Sequence, residues 1–183
     1  MTGALGYDGA MRESLVLTII GLDEPGVVEA VSDAVLAHGA NWEASKMARL
    51  AGRFAGILLV TVDADKADAA VHDLRALEVK GLKVAIERSA DEQRSESRSF
   101  RLELVGNDRP GIMREISRAL AARGVNVDEL STECGAAPMA GGTLFKMVAS
   151  LSSPPSVTQS ELREALETIA HDLMVDLSLD EVG

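Results

Sequence analysis

Little in this sequence equips it for redox or metal chemistry. One cysteine, Cys134, stands in 183 residues. That excludes an intrachain disulfide and any multi-cysteine zinc or iron–sulfur site. Aromatic residues make up 3% of the chain, so a core must be built from aliphatic side chains. No apolar run approaches the ~20 residues of a membrane-spanning helix, and no membrane partner is expected. Positive charge is scarce as well: 18 Lys and Arg face 29 Asp and Glu, a net charge of −11. Neither half carries a basic footprint for a phosphate backbone, and no helix-turn-helix pattern is visible. Direct binding of nucleic acid is therefore not expected. Sub-micromolar affinity for mixed-sequence duplex at physiological salt would refute that expectation. Met1 to Ala10 lacks the basic and apolar regions of a secretory signal. It reads as an untargeted, disordered tail on a cytoplasmic protein.

What the sequence does have is a repeat. Shifted by 85 residues, Gly21-Leu22-Asp23-Glu24-Pro25-Gly26 falls on Gly106-Asn107-Asp108-Arg109-Pro110-Gly111. Nine of the 21 positions from Gly21 to Asn41 are identical under this shift, including Ser32, Ala34, Ala37, Gly39 and Asn41. Two copies of one structural unit follow.

Each copy has the same periodicities. Leu15–Ile20 and Phe100–Val105 read as strands ending at a glycine, and the Asp-x-Pro-Gly after each reads as a turn that opens a helix, with proline in its first turn. Val27, Val31, Ala34 and Val35 recur at helical spacing, as do Ile112, Ile116, Ala119 and Leu120. Gly39 and Gly124 suit the left-handed position past a helix end. Strands from Asn41 and Asn126 come next. Ala51-Gly52-Arg53 is short enough for a hairpin, whereas the second copy has a glycine-rich loop, Gly135 to Gly142. Second helices carry Ala67, Val71, Leu74 and Leu77, or Leu162, Leu166, Ile169 and Leu173. Thr158-x-x-Glu161 is a capping box. Leu82–Ile86 and Met174–Leu179 are closing strands. The expected class is α+β: two ferredoxin-like βαββαβ units in tandem, antiparallel sheets with helices on one face. The units span residues 13–88 and 100–183, with a leader 1–12 and a polar linker 89–99.

Strand, glycine, Asp-x-Pro-Gly, amphipathic helix and Gly-x-Asn together resemble the ACT domain family of amino-acid-binding regulatory modules. Glu43-Ala44-Ser45-Lys46-Met47, Gly52-Arg53-Phe54-Ala55-Gly56, Ala137-Pro138-Met139 and Leu144-Phe145 are similar to the glycine cleavage system transcriptional repressor group of paired ACT domains. The resemblance implies a non-enzymatic regulator of a partner protein, holding a small amino acid where modules meet, with no cofactor. An alternative is a ligand-independent regulatory subunit of an enzyme of amino-acid metabolism. A half-covered sheet implies a homodimer.

The candidate ligand-binding residues are Asp23, Glu24, Pro25, Gly26 and Asn41 in the first unit. In the second they are Asn107, Asp108, Arg109, Pro110, Gly111 and Asn126. Glycine lets a ligand approach the backbone, and a helix N-terminus attracts a carboxylate. Asp and Asn could take the ammonium group and the remaining donors. The competing reading makes Asp an N-cap and Asn a turn terminator. Arg109 suits a ligand carboxylate and Glu24 opposes one, so the second loop is favoured. A metal cluster or an activated nucleophile is not apparent. Cys134 reads as a small core residue, the three histidines sit on or just after helices, and Met47, Met139 and Met147 read as packing.

Overall fold

The structure, a computed structural model, describes residues 11–89, 96–136 and 142–182. The leader up to Ala10, linker residues 90–95 and loop residues 137–141 lie outside them. Contacts divide the chain into two units, residues 1–93 and 94–183.

The first module runs β1 (Arg12–Leu22), α1 (Val27–Leu36), β2 (Asn41–Leu50), β3 (Arg53–Asp63), α2 (Ala67–Ala76), a 3-10 turn (Leu77–Lys80) and β4 (Lys83–Ser89). The second runs β5 (Arg98–Asn107), α3 (Ile112–Ala121), β6 (Asn126–Ala136), β7 (Thr143–Ser153), α4 (Gln159–Leu173) and β8 (Val175–Val182). The sheets have orders β2-β3-β1-β4 and β6-β7-β5-β8, with antiparallel neighbours throughout. This is the βαββαβ plan in both copies. Strand β3 begins at Arg53, so the first hairpin turns on two residues, Ala51 and Gly52, one fewer than the sequence suggests.

Alternation along the strands sorts the faces. Leu15, Leu17 and Ile19 of β1 and Leu58, Val60 and Val62 of β3 are buried against Val31 and Val35 of α1 and Leu74 of α2. Phe100, Leu102 and Leu104 of β5 meet Ile112, Ile116 and Leu120 of α3 and Leu162 and Leu166 of α4 in the same way. A fully buried side chain of this size contributes about 1.5–3 kcal/mol, so two strands and two helices suffice for a small core. The helix-free faces differ. On the first sheet that face carries Val16, Ile20, Ile57 and Leu59 beside Lys83 and Glu87, on the second Arg101, Glu103, Lys146 and Asp180 beside Val105 and Val148. Edge strand β6 is exposed at every position.

Helix α4 starts with the expected capping box. The Thr158 hydroxyl accepts from the Glu161 N–H at 3.3 Å, and the Thr158 N–H donates to the Glu161 carboxylate at 3.0 Å. The Thr158 hydroxyl, then its backbone N–H, holds the Glu161 carboxyl below its ordinary value of 4.5. A depressed folded-state pKa stabilises above the unfolded value, and that contribution is lost as pH falls through the lowered one. Glu161→Gln should therefore flatten the acid limb of stability below about pH 4.5. Chemical denaturation at pH 6 and pH 3 checks this, and an unchanged slope would count against it.

Candidate functional site

The two Asp-x-Pro-Gly loops sit at the same place in their modules, between the first strand and the first helix. The residue that turns each chain into its helix is the glycine. Gly26 (φ 93°) and Gly111 (φ 103°) occupy the N-cap position in the left-handed region, and no side chain caps either helix. Pro25 and Pro110 lie in the turn ahead of the helix, so the expectation of proline in the first helical turn is corrected. Asp does not serve as the cap either, since the glycine occupies that position. Its backbone is used differently: the Asp23 N–H donates to the Gly52 carbonyl at 3.1 Å and the Asp108 N–H to the Thr143 carbonyl at 2.8 Å. Each loop is thus pinned to the end of the β2–β3 or β6–β7 hairpin. Among the described residues no side chain accepts from the first-turn N–H groups, the arrangement that favours an anionic group at a helix N-terminus.

The loops differ in their side chains. Asp23 forms an ion pair with Arg49 at 2.9 Å. Among the described residues, no side-chain hydrogen bond or ion pair engages Glu24, Asp108 or Arg109. Glu24, Pro25 and Gly26 line a cleft of about 190 Å³ together with Leu22, Ala30 and Leu82. Its size suits a small molecule, and its one charged wall residue is acidic.

Asn41 and Asn126 are somewhere else. Asn41 pairs with Thr61, which faces Ser14 at the start of β1, and Asn126 pairs with Ser152, which faces Ser99 near the start of β5. About eight residues of strand, ~26 Å, separate those ends from the loops. Within either module, loop and asparagine therefore do not share a site. Each asparagine instead holds a carboxylate that sequence reasoning did not single out. The Asn41 amide donates to Glu43 at 2.9 Å and Thr61 to the same oxygen at 2.7 Å. The Asn126 amide donates to Asp128 at 2.9 Å and Ser152 to the same oxygen at 2.8 Å. Both acids sit where the strand register shifts by one residue, so the network ties down a β-bulge. Hydrogen bonds from Thr61 and Asn41, aided by the Arg12 charge, hold the Glu43 carboxyl below its ordinary value. The repeated Asn-x-acid spacing was a signal in the sequence. A cavity of about 380 Å³ lies beside Asn126, lined by Gly124, Ser152 and Pro154 among others. Asn126→Ala should lower stability by ~0.5 kcal/mol, the low end for one hydrogen bond because the pair is exposed. Urea unfolding reads this, and an unchanged midpoint would separate the asparagine from the bulge.

Cys134 is exposed on β6, which corrects its reading as a core residue: no helix covers this edge strand. Met147 is buried and Met47 and Trp42 pack partly buried against the first core, while Met139 lies outside the described residues. His38, in the turn after α1, pairs with Asp73 of α2 at 2.9 Å. Among the described residues no group of three or more His, Cys, Asp or Glu could hold a metal ion. None of their helices is long and apolar enough to cross a membrane.

Family models for the ACT domain match residues 13–87 and residues 100–148. The chain belongs to the ACT domain family. An unknown protein from Galdieria sulphuraria is similar in structure, with a TM-score of 0.85 and 32% identity, over 94% of this chain and all of that one. A candidate glycine cleavage system transcriptional repressor gives a TM-score of 0.69 at 20% identity, over 94% of this chain and 98% of that one; this shows the shared fold. Phosphoserine phosphatase SerB2 of Mycobacterium tuberculosis is 31% identical over 94% of this chain, which spans 42% of that enzyme.

Proposed function

We propose that this ACT protein is a non-enzymatic regulator that binds a small amino acid, free glycine or one of similar size, at its Asp-x-Pro-Gly loops and acts on a partner protein. Control of glycine cleavage is the process the reading favours. The observation that carries it is the uncapped, glycine-led helix N-terminus beside a loop charge that no described residue pairs, repeated in both modules. Backbone N–H groups suit the ligand carboxylate and a loop acid its ammonium group. The second loop, with Asp108 and Arg109, remains the better site, because Arg109 adds a cation where Glu24 adds an anion. The cleft beside Glu24 supports the first loop as a further, weaker site. A ligand touching both a loop and Asn41 or Asn126 needs another module brought to the loop, and a second copy of the chain in a homodimer would supply it.

Calorimetry of the full chain against the amino acids tests the reading, with a small amino acid expected to bind and none binding at millimolar concentration overturning it. The resemblance to a stretch of a longer phosphatase favours a second reading, a ligand-independent regulatory subunit. That alternative predicts co-purification with an enzyme and no heat of amino-acid binding.

A further inference from the structure

We propose that the residue at one strand position, Arg49 in the first module and Cys134 in the second, decides whether the loop aspartate is available to a ligand, so that Asp108 is open and Asp23 is closed. The inference rests on the proposed binding of an amino acid at these loops and names what selects between them.

The two positions are equivalent by register. Gly21 faces Phe54, which faces Arg49; Gly106 faces Phe145, which faces Cys134. The loops beside them are anchored alike, since the Asp23 N–H donates to the carbonyl of Gly52, the residue before Arg53, and the Asp108 N–H to that of Thr143, the residue before Leu144, where Arg53 and Leu144 hold the same register position opposite β1 and β5. From the same backbone position, then, each aspartate sees a different neighbour. Arg49 reaches Asp23 at 2.9 Å. Cys134 offers no positive charge, and among the described residues Asp108 has no ion pair.

An ammonium group arriving at Asp23 must displace a guanidinium that is already on the same chain, at an effective concentration far above that of a free metabolite. At Asp108 no cation among the described residues has to be displaced. Arg49 and Asp23 are partly exposed, so the pair adds little to stability. Its consequence is occupancy of the carboxylate.

The test is to give the second module the residue of the first. Cys134→Arg should weaken binding of free glycine, measured by calorimetry on the full chain, by tenfold or more. Cys134→Gln, of similar reach and without charge, should bind within twofold of wild type, which separates charge from bulk. Position 134 is exposed, so these variants should melt as the wild type does. Wild-type affinity in Cys134→Arg, or equal losses in the Arg and Gln variants, would each overturn the inference while leaving amino-acid binding intact. If the wild type binds no amino acid at all, the underlying reading falls and the inference with it.

Discussion

Gly106→Val is expected to cost the second module about 3 kcal/mol or more, enough to raise its unfolded population over a hundredfold. The reason is geometric. A Cβ added at Gly106 would lie 2.4 Å from Cγ1, 2.8 Å from Cβ and 3.0 Å from Cα of Val175, the first residue of β8. Neither a β-branched neighbour nor strand backbone can swing aside, and the valine γ-methyls enlarge the overlap. The equivalent Gly21 is a milder case, because its Cβ would meet the far end of Leu82 at 2.5 Å, with the next atom at 3.4 Å. A leucine tip can change rotamer. Urea unfolding of Gly106→Val beside Gly21→Val should show the larger loss at Gly106. Equal losses would mean that the close approach to β8 is not what excludes a side chain.

That pair shows how a motif can be legible while its cause is not. The glycine before Asp-x-Pro-Gly reads in the sequence as part of a turn, yet at Gly106 a neighbouring strand lies on it. The order of strands and helices follows from periodicity, because alternation and 3.6-residue spacing are properties of the chain alone. Which end of the sheet each loop reaches is a property of topology. Asn41 and Asn126 follow their helices closely in sequence, but a crossover helix carries the chain back to the start of the first strand, so these asparagines open β2 and β6 far from the loops. The left-handed glycine at the N-cap also escapes sequence reasoning: Asp is the commoner cap, and only the backbone angle at Gly26 and Gly111 reveals that glycine holds that position. Cys134 has the composition of a core residue and is exposed because the helices do not extend over β6. Burial of a small apolar residue depends on which strand is at the edge.

Free glycine at a hundredfold excess over its dissociation constant should stabilise the protein by about 2.7 kcal/mol, or roughly 11–22 °C in a module of this size. The required concentration follows from the ligand itself. Five heavy atoms at a ceiling of ~1.5 kcal/mol each limit binding to ~7.5 kcal/mol, a dissociation constant of several micromolar or weaker. Millimolar glycine is therefore the range in which the shift should develop, and a shift already complete at nanomolar ligand would point to a larger molecule. Asp108→Ala is expected to remove the rise without lowering the ligand-free melting point. Its carboxylate has no hydrogen bond or ion pair among the described residues, and the loop is pinned by the Asp108 backbone N–H on the Thr143 carbonyl, which alanine keeps. A regulator also needs unequal affinity for two arrangements, since a ligand that binds both equally shifts neither. The same titration followed by light scattering or by partner binding should then change over the same concentration range as the melting point. If Asp108→Ala keeps the full glycine-dependent rise, the aspartate is not the ammonium site, and the second loop has only the helix N-terminus and Arg109 left to offer a ligand.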